Sequence, residues 1–326
     1  MSGHMRSAQR ARALDRLASA SGVIAGAAID HRDSLQAALA KRGLDLDDAG
    51  VTELKLRVAA VLAPVATLIL LDAELSAGQA IAAGVLPGAT ALVVPLEAMG
   101  YGDVAKVEVT AFLEGWSAAK ARRLGASGAK LLLPYRADVP DQATRQEDVV
   151  RTAVAACREA GLALILEPIV YRRAGEERAG EERYAELVVE GARRLAALEP
   201  DVLKLQYPGT AAGCEALDAA VGRDIPWVLL GGGASEDVIG GQIEDACRAG
   251  ASGFIVGRTL FDAALVADPE ESRRGLEERS RPLLERLVGL AESLAVPWRE
   301  RVGPLPLPPP RWFREAERCQ APTLWP

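Results

Sequence analysis

The chain changes its hydrophobic period again and again along its length. Short apolar runs rich in Val, Ile, Leu and Ala alternate with longer amphipathic runs that carry the charge. Such alternation is the pattern of a parallel sheet, because each crossover helix returns the chain to the same end of the sheet and covers its face. The apolar runs are Val23–Asp30, Thr67–Asp72, Ala91–Pro95, Ala129–Tyr135, Leu162–Pro168, Val202–Tyr207, Trp227–Gly231 and Gly253–Gly257. Helical patterns lie between them at Ser34–Lys41, Leu113–Leu124, Glu147–Ala160, Tyr184–Leu198 and Val238–Ala249. Gly43, Gly125, Gly161 and Gly250 follow helical runs, where a left-handed residue is needed. Eight strand–helix units without a large gap predict a closed (β/α)8 TIM barrel, an α/β fold. An open doubly wound sheet is the alternative.

A barrel takes roughly 250 residues, so the 326-residue chain has room for one barrel and extensions. The barrel domain is expected over residues 21–295. Residues 1–20 are expected to hold an expression scar, Met1–His4, and then a capping helix with Arg10, Arg12 and Arg16 on its polar face. Asp268–Leu294 reads as a terminal charged helix with Pro269 in its first turn. Residues 296–326 read as an extended Pro-rich tail, with Pro304, Pro306 and Pro308–Pro310. An exact repeat, Ala174–Arg178 followed by Ala179–Arg183, stands after the fifth strand; it reads as a solvated charged loop or a lid over the site.

Composition removes several function classes. The net charge of −7 and pI near 5.2 argue against nucleic-acid binding. The most apolar stretch, Val58–Leu71, is too short for a membrane span and contains Pro64. Cys157, Cys214, Cys247 and Cys319 form no CxxC pair and follow no secretory signal, so reduced thiols in a cytoplasmic protein are expected. The two histidines are His4 and His31, which leaves no His-rich metal site. No metal and no cofactor is called for.

Charged residues on the strands carry the functional signal. Strand side chains alternate between the barrel interior and the helix layer, and active groups sit at the carboxyl ends. With Leu203 and Leu205 outward, Val202, Lys204 and Gln206 point inward. With Leu162, Leu164 and Leu166 outward, Ala163, Ile165 and Glu167 point inward. The phase that places Asp30 inside also places Gly26 and Ala28 there, and the fourth strand brings Lys130. Two lysines, a glutamate and an aspartate therefore converge. A supporting network of Lys130–Asp30 and Lys204–Glu167 ion pairs would explain them structurally, but buried pairs are weak stabilisers. Two of only six lysines lie in apolar strands, where a lysine, unlike an arginine, can lose its proton and attack a carbonyl. Gly231, Gly232 and Gly233 after the seventh strand, with Gly257 and Arg258 after the eighth, predict a phosphate site.

Together these residues resemble the tagatose-bisphosphate aldolase family, which also includes sulfofructose-phosphate aldolases. The resemblance runs from about Gly22 to Leu265. It rests on Ala28–Arg32, Leu70–Asp72, Gly115–Lys120 leading to Gly128–Lys130, Leu166–Pro168, Asp201–Lys204 and Gly257–Arg258. It implies a metal-independent aldolase in which Lys204 forms the Schiff base and Glu167 is the acid/base. It also implies that Asp30, Lys130 and Arg258 bind substrate or phosphate, and that a dimer or higher homo-oligomer forms. Departures from the family fall in substrate-facing loops. His31 stands for a glutamine before Arg32, Gly231 for a serine, Gln206 for an acidic residue, and Asp72–Ser76 for an Asp-Pro-Glu-Tyr-Gly turn.

The expected function is a class I aldolase, a lyase that cleaves or forms a carbon–carbon bond in a ketose phosphate. Dihydroxyacetone phosphate or a similar fragment would be released. Asp30, His31, Arg32, Lys130 and Gln206 are the expected substrate-binding residues. Three readings rival it: another Schiff-base condensing enzyme, a phosphosugar isomerase, and a barrel that binds a sugar phosphate and regulates a partner without turnover.

Overall fold

A computed structural model describes residues 3–98, 109–172, 176, 180–304, 307 and 309–311. The chain opens with helix α1 (Gly3–Leu17) and enters the sheet at β1 (Ile24–Ala28). After α2 (Asp33–Ala40) and α3 (Asp48–Leu62) come β2 (Leu68–Leu70), α4 (Ala77–Ala82) and β3 (Ala91–Pro95). Then follow α5 (Ala118–Leu124), β4 (Gly128–Pro134), α6 (Pro140–Ala160), β5 (Ala163–Ile169) and α7 (Glu181–Ala196). The third quarter holds β6 (Val202–Gln206), α8 (Ala211–Val221), β7 (Trp227–Leu230), α9 (Glu236–Ala249) and β8 (Gly253–Val256). Last are α10 (Arg258–Phe261), α11 (Pro269–Gly275), α12 (Arg281–Leu294) and α13 (Trp298–Val302).

All eight strands pair in parallel, in chain order, and β8 closes on β1 through Ala25↔Phe254 and Gly26↔Ile255. The closed TIM barrel expected from the alternating pattern is therefore the fold. The strand phases agree as well. Ala163, Ile165 and Val202 belong to the interior cluster, whereas Leu162, Leu164, Leu166, Leu203 and Leu205 pack under the helices. Strand bounds shift by a residue or two, because strand pairing ends before the polar ends that the alternation includes.

Three helices differ from expectation for local reasons. α6 starts at Pro140 rather than Glu147, since proline is tolerated in a helix's first turn. α5 starts only at Ala118, where Ser117 caps it by accepting from the Lys120 amide at 3.2 Å. The terminal charged helix is interrupted by a π turn at Leu276–Ser280. Pro282, in the next turn, has no N–H to give the ordinary helical bond.

Part of the expected extended tail is helical. α13 docks beneath the barrel, with Trp298 buried among Leu14, Leu17, Ile24 and Leu68. Buried Arg301 donates to the carbonyls of Ile225 (2.8 Å), Gly250 (2.9 Å) and Gly222 (2.6 Å) and pairs with Asp218. Pro306, Pro308 and residues 312–326 lie outside the described residues, as does Cys319. So does half of the Ala174–Arg183 repeat. Its described parts are Glu176, paired with Arg136, and the first turn of α7, where Arg183 pairs with Asp138 and Glu186. Among the described residues no helix is long and apolar enough to cross a membrane.

The barrel interior is layered. α1 and α13 seal the end where the strands begin. Leu68, Leu70, Val93, Ile165, Val228 and Ile255 fill the middle with apolar side chains. Charged side chains occupy the end where the strands finish, which is where barrel enzymes place their chemistry.

Candidate active site

Strand alternation carries Lys130, Glu167 and Lys204 to one level above the apolar filling. Each is no more than 5% exposed. Glu167 Oε2 lies 3.0 Å from Lys204 Nζ and 3.7 Å from Lys130 Nζ, and no donor meets it in hydrogen-bond geometry. Asp30, two residues beyond β1, accepts from Lys130 Nζ at 2.9 Å. The two ion pairs read from the sequence are thus both present. They form one connected cluster rather than separate supports.

The cluster includes a residue the sequence reading missed. Glu97 is fully buried, and its Oε1 accepts from Lys130 Nζ at 2.5 Å while its Oε2 accepts from the Leu132 amide at 3.2 Å. The signal was available: Ala91 and Val93 face the interior, and Glu97 continues their two-residue phase past the strand end.

The carboxylates around Lys130 fix its charge. Burial would lower the Lys130 ammonium, but Asp30, Glu97 and Glu167 outweigh it and hold its pKa well above the ordinary lysine value. Burial would likewise raise the Asp30 carboxyl, yet Lys130, His31 and Lys204 hold it below the usual carboxylate range. Burial pushes Glu97 upward against the pull of Lys130. Lys130 is therefore a fixed cation. Lys204 lies against one carboxylate, that of Glu167 at 3.0 Å, among the described residues.

His31 sits at the mouth with its side chain about a quarter exposed. Burial lowers its imidazole below the ordinary value despite Asp30, whose Oδ1 is 3.8 Å from Nδ1. Its ring stands edge-on to Phe261 at 5.2 Å. Gly257 is required beneath it, since a Cβ there would come within 2.6 Å of His31 Cε1.

Asp30, His31, Lys130, Glu167, Lys204, Gln206, the three glycines of 231–233, Gly257 and Arg258 all line one cavity of about 280 Å³. Arg32 does not. Its guanidinium turns away to pair with Glu74 and to donate to the Glu97 carbonyl at 3.0 Å, so it braces the site from behind. Gln206 is also engaged, its Oε1 accepting from the Val170 amide at 2.7 Å and tying the ends of β5 and β6. Gly232 and Gly233 have φ of +59° and +81°, and their amides make no hydrogen bond among the described residues. Arg258 donates to the Gly232 carbonyl at 2.6 Å. Free amides beside a guanidinium form a fitting cradle for an anion.

The two largest clefts among the described residues hold no part of the lysine–carboxylate cluster. One of about 850 Å³ adjoins the cavity, sharing Gln206 and the three glycines, and is lined by Tyr171, Tyr184 and Tyr207. The other, about 650 Å³, lies at the opposite end near α1, where Arg10, Arg158 and Arg193 pair with Asp201, Glu199 and Glu190.

A closed parallel barrel whose charged cavity opens at the carboxyl ends of its strands is the architecture of a barrel enzyme. The chain belongs to the DeoC/LacD aldolase family, whose model matches residues 24–263. It is an aldolase, and hence a lyase. The tagatose 1,6-diphosphate aldolase of Streptococcus agalactiae is 25% identical over 324 residues, covering 90% of this chain and 98% of that protein. The enzyme of the same name from Lactococcus lactis is 25% identical over 327 residues, with the same coverage. Two solved structures share the fold. An archaeal fructose-1,6-bisphosphate aldolase, with its catalytic Lys covalently bound to a carbinolamine intermediate, has a TM-score of 0.59 at 18% identity. It covers 87% of this chain and 99% of its own. The fructose-bisphosphate aldolase of Slackia heliotrinireducens has a TM-score of 0.61 at 17% identity, covering 89% and 91%.

Proposed function

We propose that this aldolase works without a metal, through an imine on Lys204, and makes or breaks a carbon–carbon bond in a ketose phosphate. The observation that carries this reading is the 3.0 Å contact between Lys204 Nζ and Glu167 Oε2 in a cavity that the glycine–Arg258 cradle also lines. Curated relatives that act on tagatose 1,6-diphosphate support the substrate class. His31, Gln206 and Gly231, which all differ from the family pattern, line the cavity and bear on which ketose phosphate fits.

The steps follow from the geometry. Lys204, having passed a proton to Glu167, adds to the ketone carbon. Water leaves, and the protonated imine becomes an electron sink. Glu167, again a carboxylate, takes the proton of the hydroxyl beyond the bond to be broken. That carbon–carbon bond cleaves, its electron pair moves into an enamine, and the aldehyde departs. Protonation of the enamine carbon and addition of water release the second fragment, dihydroxyacetone phosphate or a close relative, and restore the amine. Lys130 and Asp30 orient substrate oxygens, and the amides of Gly232 and Gly233 with Arg258 hold the phosphate.

Borohydride trapping tests this directly. Protein incubated with ketose mono- and bisphosphates and dihydroxyacetone phosphate is reduced, weighed intact and mapped by peptides. An adduct on Lys204 is expected, and Lys204→Ala should lose the adduct and about 10³-fold or more of turnover. An adduct on Lys130 would reverse the assignment of the lysines. Full turnover by Lys204→Ala would refute the scheme.

A further inference from the structure

Of the three carboxylates around Lys130, Glu97 alone is absent from the cavity wall. It is nevertheless the most tightly held. Its backbone forms an antiparallel bridge with Phe112, and its carbonyl accepts from Arg32, which Glu74 anchors in turn. Its side chain is fixed at both oxygens, by Lys130 and by the Leu132 amide. Glu167, by contrast, stands between two ammonium groups and is hydrogen-bonded to neither. An ammonium can satisfy only a few acceptors at short range. Here the short contacts of Lys130 go to Glu97 at 2.5 Å and Asp30 at 2.9 Å, and Glu167 is left at 3.7 Å.

We propose that Glu97 is a positioning residue: it holds the Lys130 ammonium off Glu167, so that Glu167 keeps its closer contact with Lys204 and stays free to pass protons. Without that charge, Lys130 would share itself between Asp30 and Glu167. A carboxylate locked to a permanent cation is a poorer base. The other charged groups near the cluster are committed elsewhere. His31 faces Asp30, Lys55 pairs with Asp72, Arg32 pairs with Glu74, and Lys204 lies against Glu167.

The inference rests on the imine chemistry proposed above, and the test keeps the two apart. Wild type, Glu97→Gln and Glu97→Asp are incubated with dihydroxyacetone phosphate. Two signals are read: the borohydride-reduced adduct on Lys204, and deuterium entering the ligand from D2O, followed by NMR across pH. Glu97→Gln is expected to form the Lys204 adduct but to exchange deuterium about 10- to 100-fold more slowly. Its KM should stay within about threefold of wild type. The acid limb of its exchange profile should move to lower pH, because a closer Lys130 favours the charged form of Glu167. Glu97→Asp, which restores the charge, should regain part of the rate and of the limb position. A folded Glu97→Gln with wild-type exchange and an unmoved limb would overturn the proposal, as would a loss confined to KM. If Glu97→Gln does not fold, Glu97→Asp decides: its carboxylate ends one methylene short of Lys130, so a wild-type profile there also overturns the proposal. If wild type itself neither traps nor exchanges, the imine reading falls and this inference with it. Trapping with an unchanged exchange profile removes only the role of Glu97.

Discussion

At the scale of residues, the barrel's charged end contains both working groups and bracing groups, and their partners tell them apart. Lys55 and Asp72 are paired with neither side chain exposed. Asp72 also accepts from the amides of Glu74 (3.1 Å) and Leu75 (2.7 Å) and from the Ser76 hydroxyl (2.6 Å). Every acceptor position is used in holding the turn after β2, which is a structural role. Asp72→Ala would strand a buried ammonium, whose pKa burial already pushes below the ordinary lysine value. Loss of about 3–5 kcal/mol is expected, measured as a lower urea midpoint at unchanged slope. Gly231, where relatives of the resembled family carry serine, is crowded: a Cβ there would lie 3.0 Å from both methyls of Val256. Gly231→Ser should cost about 1–3 kcal/mol by the same measurement, and a paired Val256→Ala should recover part of it. His31 gives a pH signature. Burial lowers it from 6.5 to about 4, so the unfolded chain takes up this proton first. Its contribution to stability is therefore complete above pH 6.5 and is lost as pH falls towards 4. Urea melts between pH 7 and 4 should show His31→Asn losing less stability on acidification than wild type. Among these side chains, Lys204, Glu167 and Asp30 were legible because strand phase alone assigns their direction. Arg32 does not line the cavity, because a residue past the strand end answers to its neighbours, here Glu74 and Glu97, rather than to alternation.

At the scale of elements, the apolar periods were reliable and the ends were not. All eight strands stand where the apolar runs predicted them, since a run of Val, Ile and Leu has no other way to be buried on both faces. Helix ends depended on single residues, Pro140 and Ser117, and the π turn on Pro282. α13 was hidden because a five-residue helix followed by several prolines has no periodicity to detect. Its stability comes from burial of Trp298 under the barrel and from the carbonyls gathered by Arg301. Trp298→Ala should therefore cost about 3–5 kcal/mol, comparable to truncating a core aromatic. A fall in melting temperature would report it. Because the floor lies at the opposite end of the barrel from Lys204, borohydride trapping of the folded fraction should be unchanged.

At the scale of the whole molecule, closure of the sheet sets what the site can be. An open sheet would leave β1 and β8 unpaired, yet here they pair, and Asp30 beyond β1 and Arg258 beyond β8 line one cavity. The net charge of −7 would repel a phosphorylated sugar at long range. At short range Lys130, Lys204 and Arg258 line the cavity and offset Asp30, Asp33 and Glu167 there. On the proposed scheme the imine on Lys204 is the electron sink, and no metal is needed to stabilise the carbanion. Activity on ketose phosphates should survive exhaustive dialysis against EDTA at the wild-type rate. A loss restored by added zinc would contradict the imine scheme.

The sequence by itself determined the barrel, the inward direction of Lys204, Glu167 and Lys130, and the glycine–arginine stretch fitted to an anion. These follow from hydrophobic period and backbone freedom, which act over a few residues. Only the tertiary structure decided that Lys130 is held as a cation. Burial alone would lower the Lys130 amine, and it is the meeting of Asp30, Glu97 and Glu167 from three different strand ends that raises it. Charge coupling falls off with distance in space, not along the chain. Residues 30, 97, 130, 167 and 204 become neighbours only when β8 closes on β1.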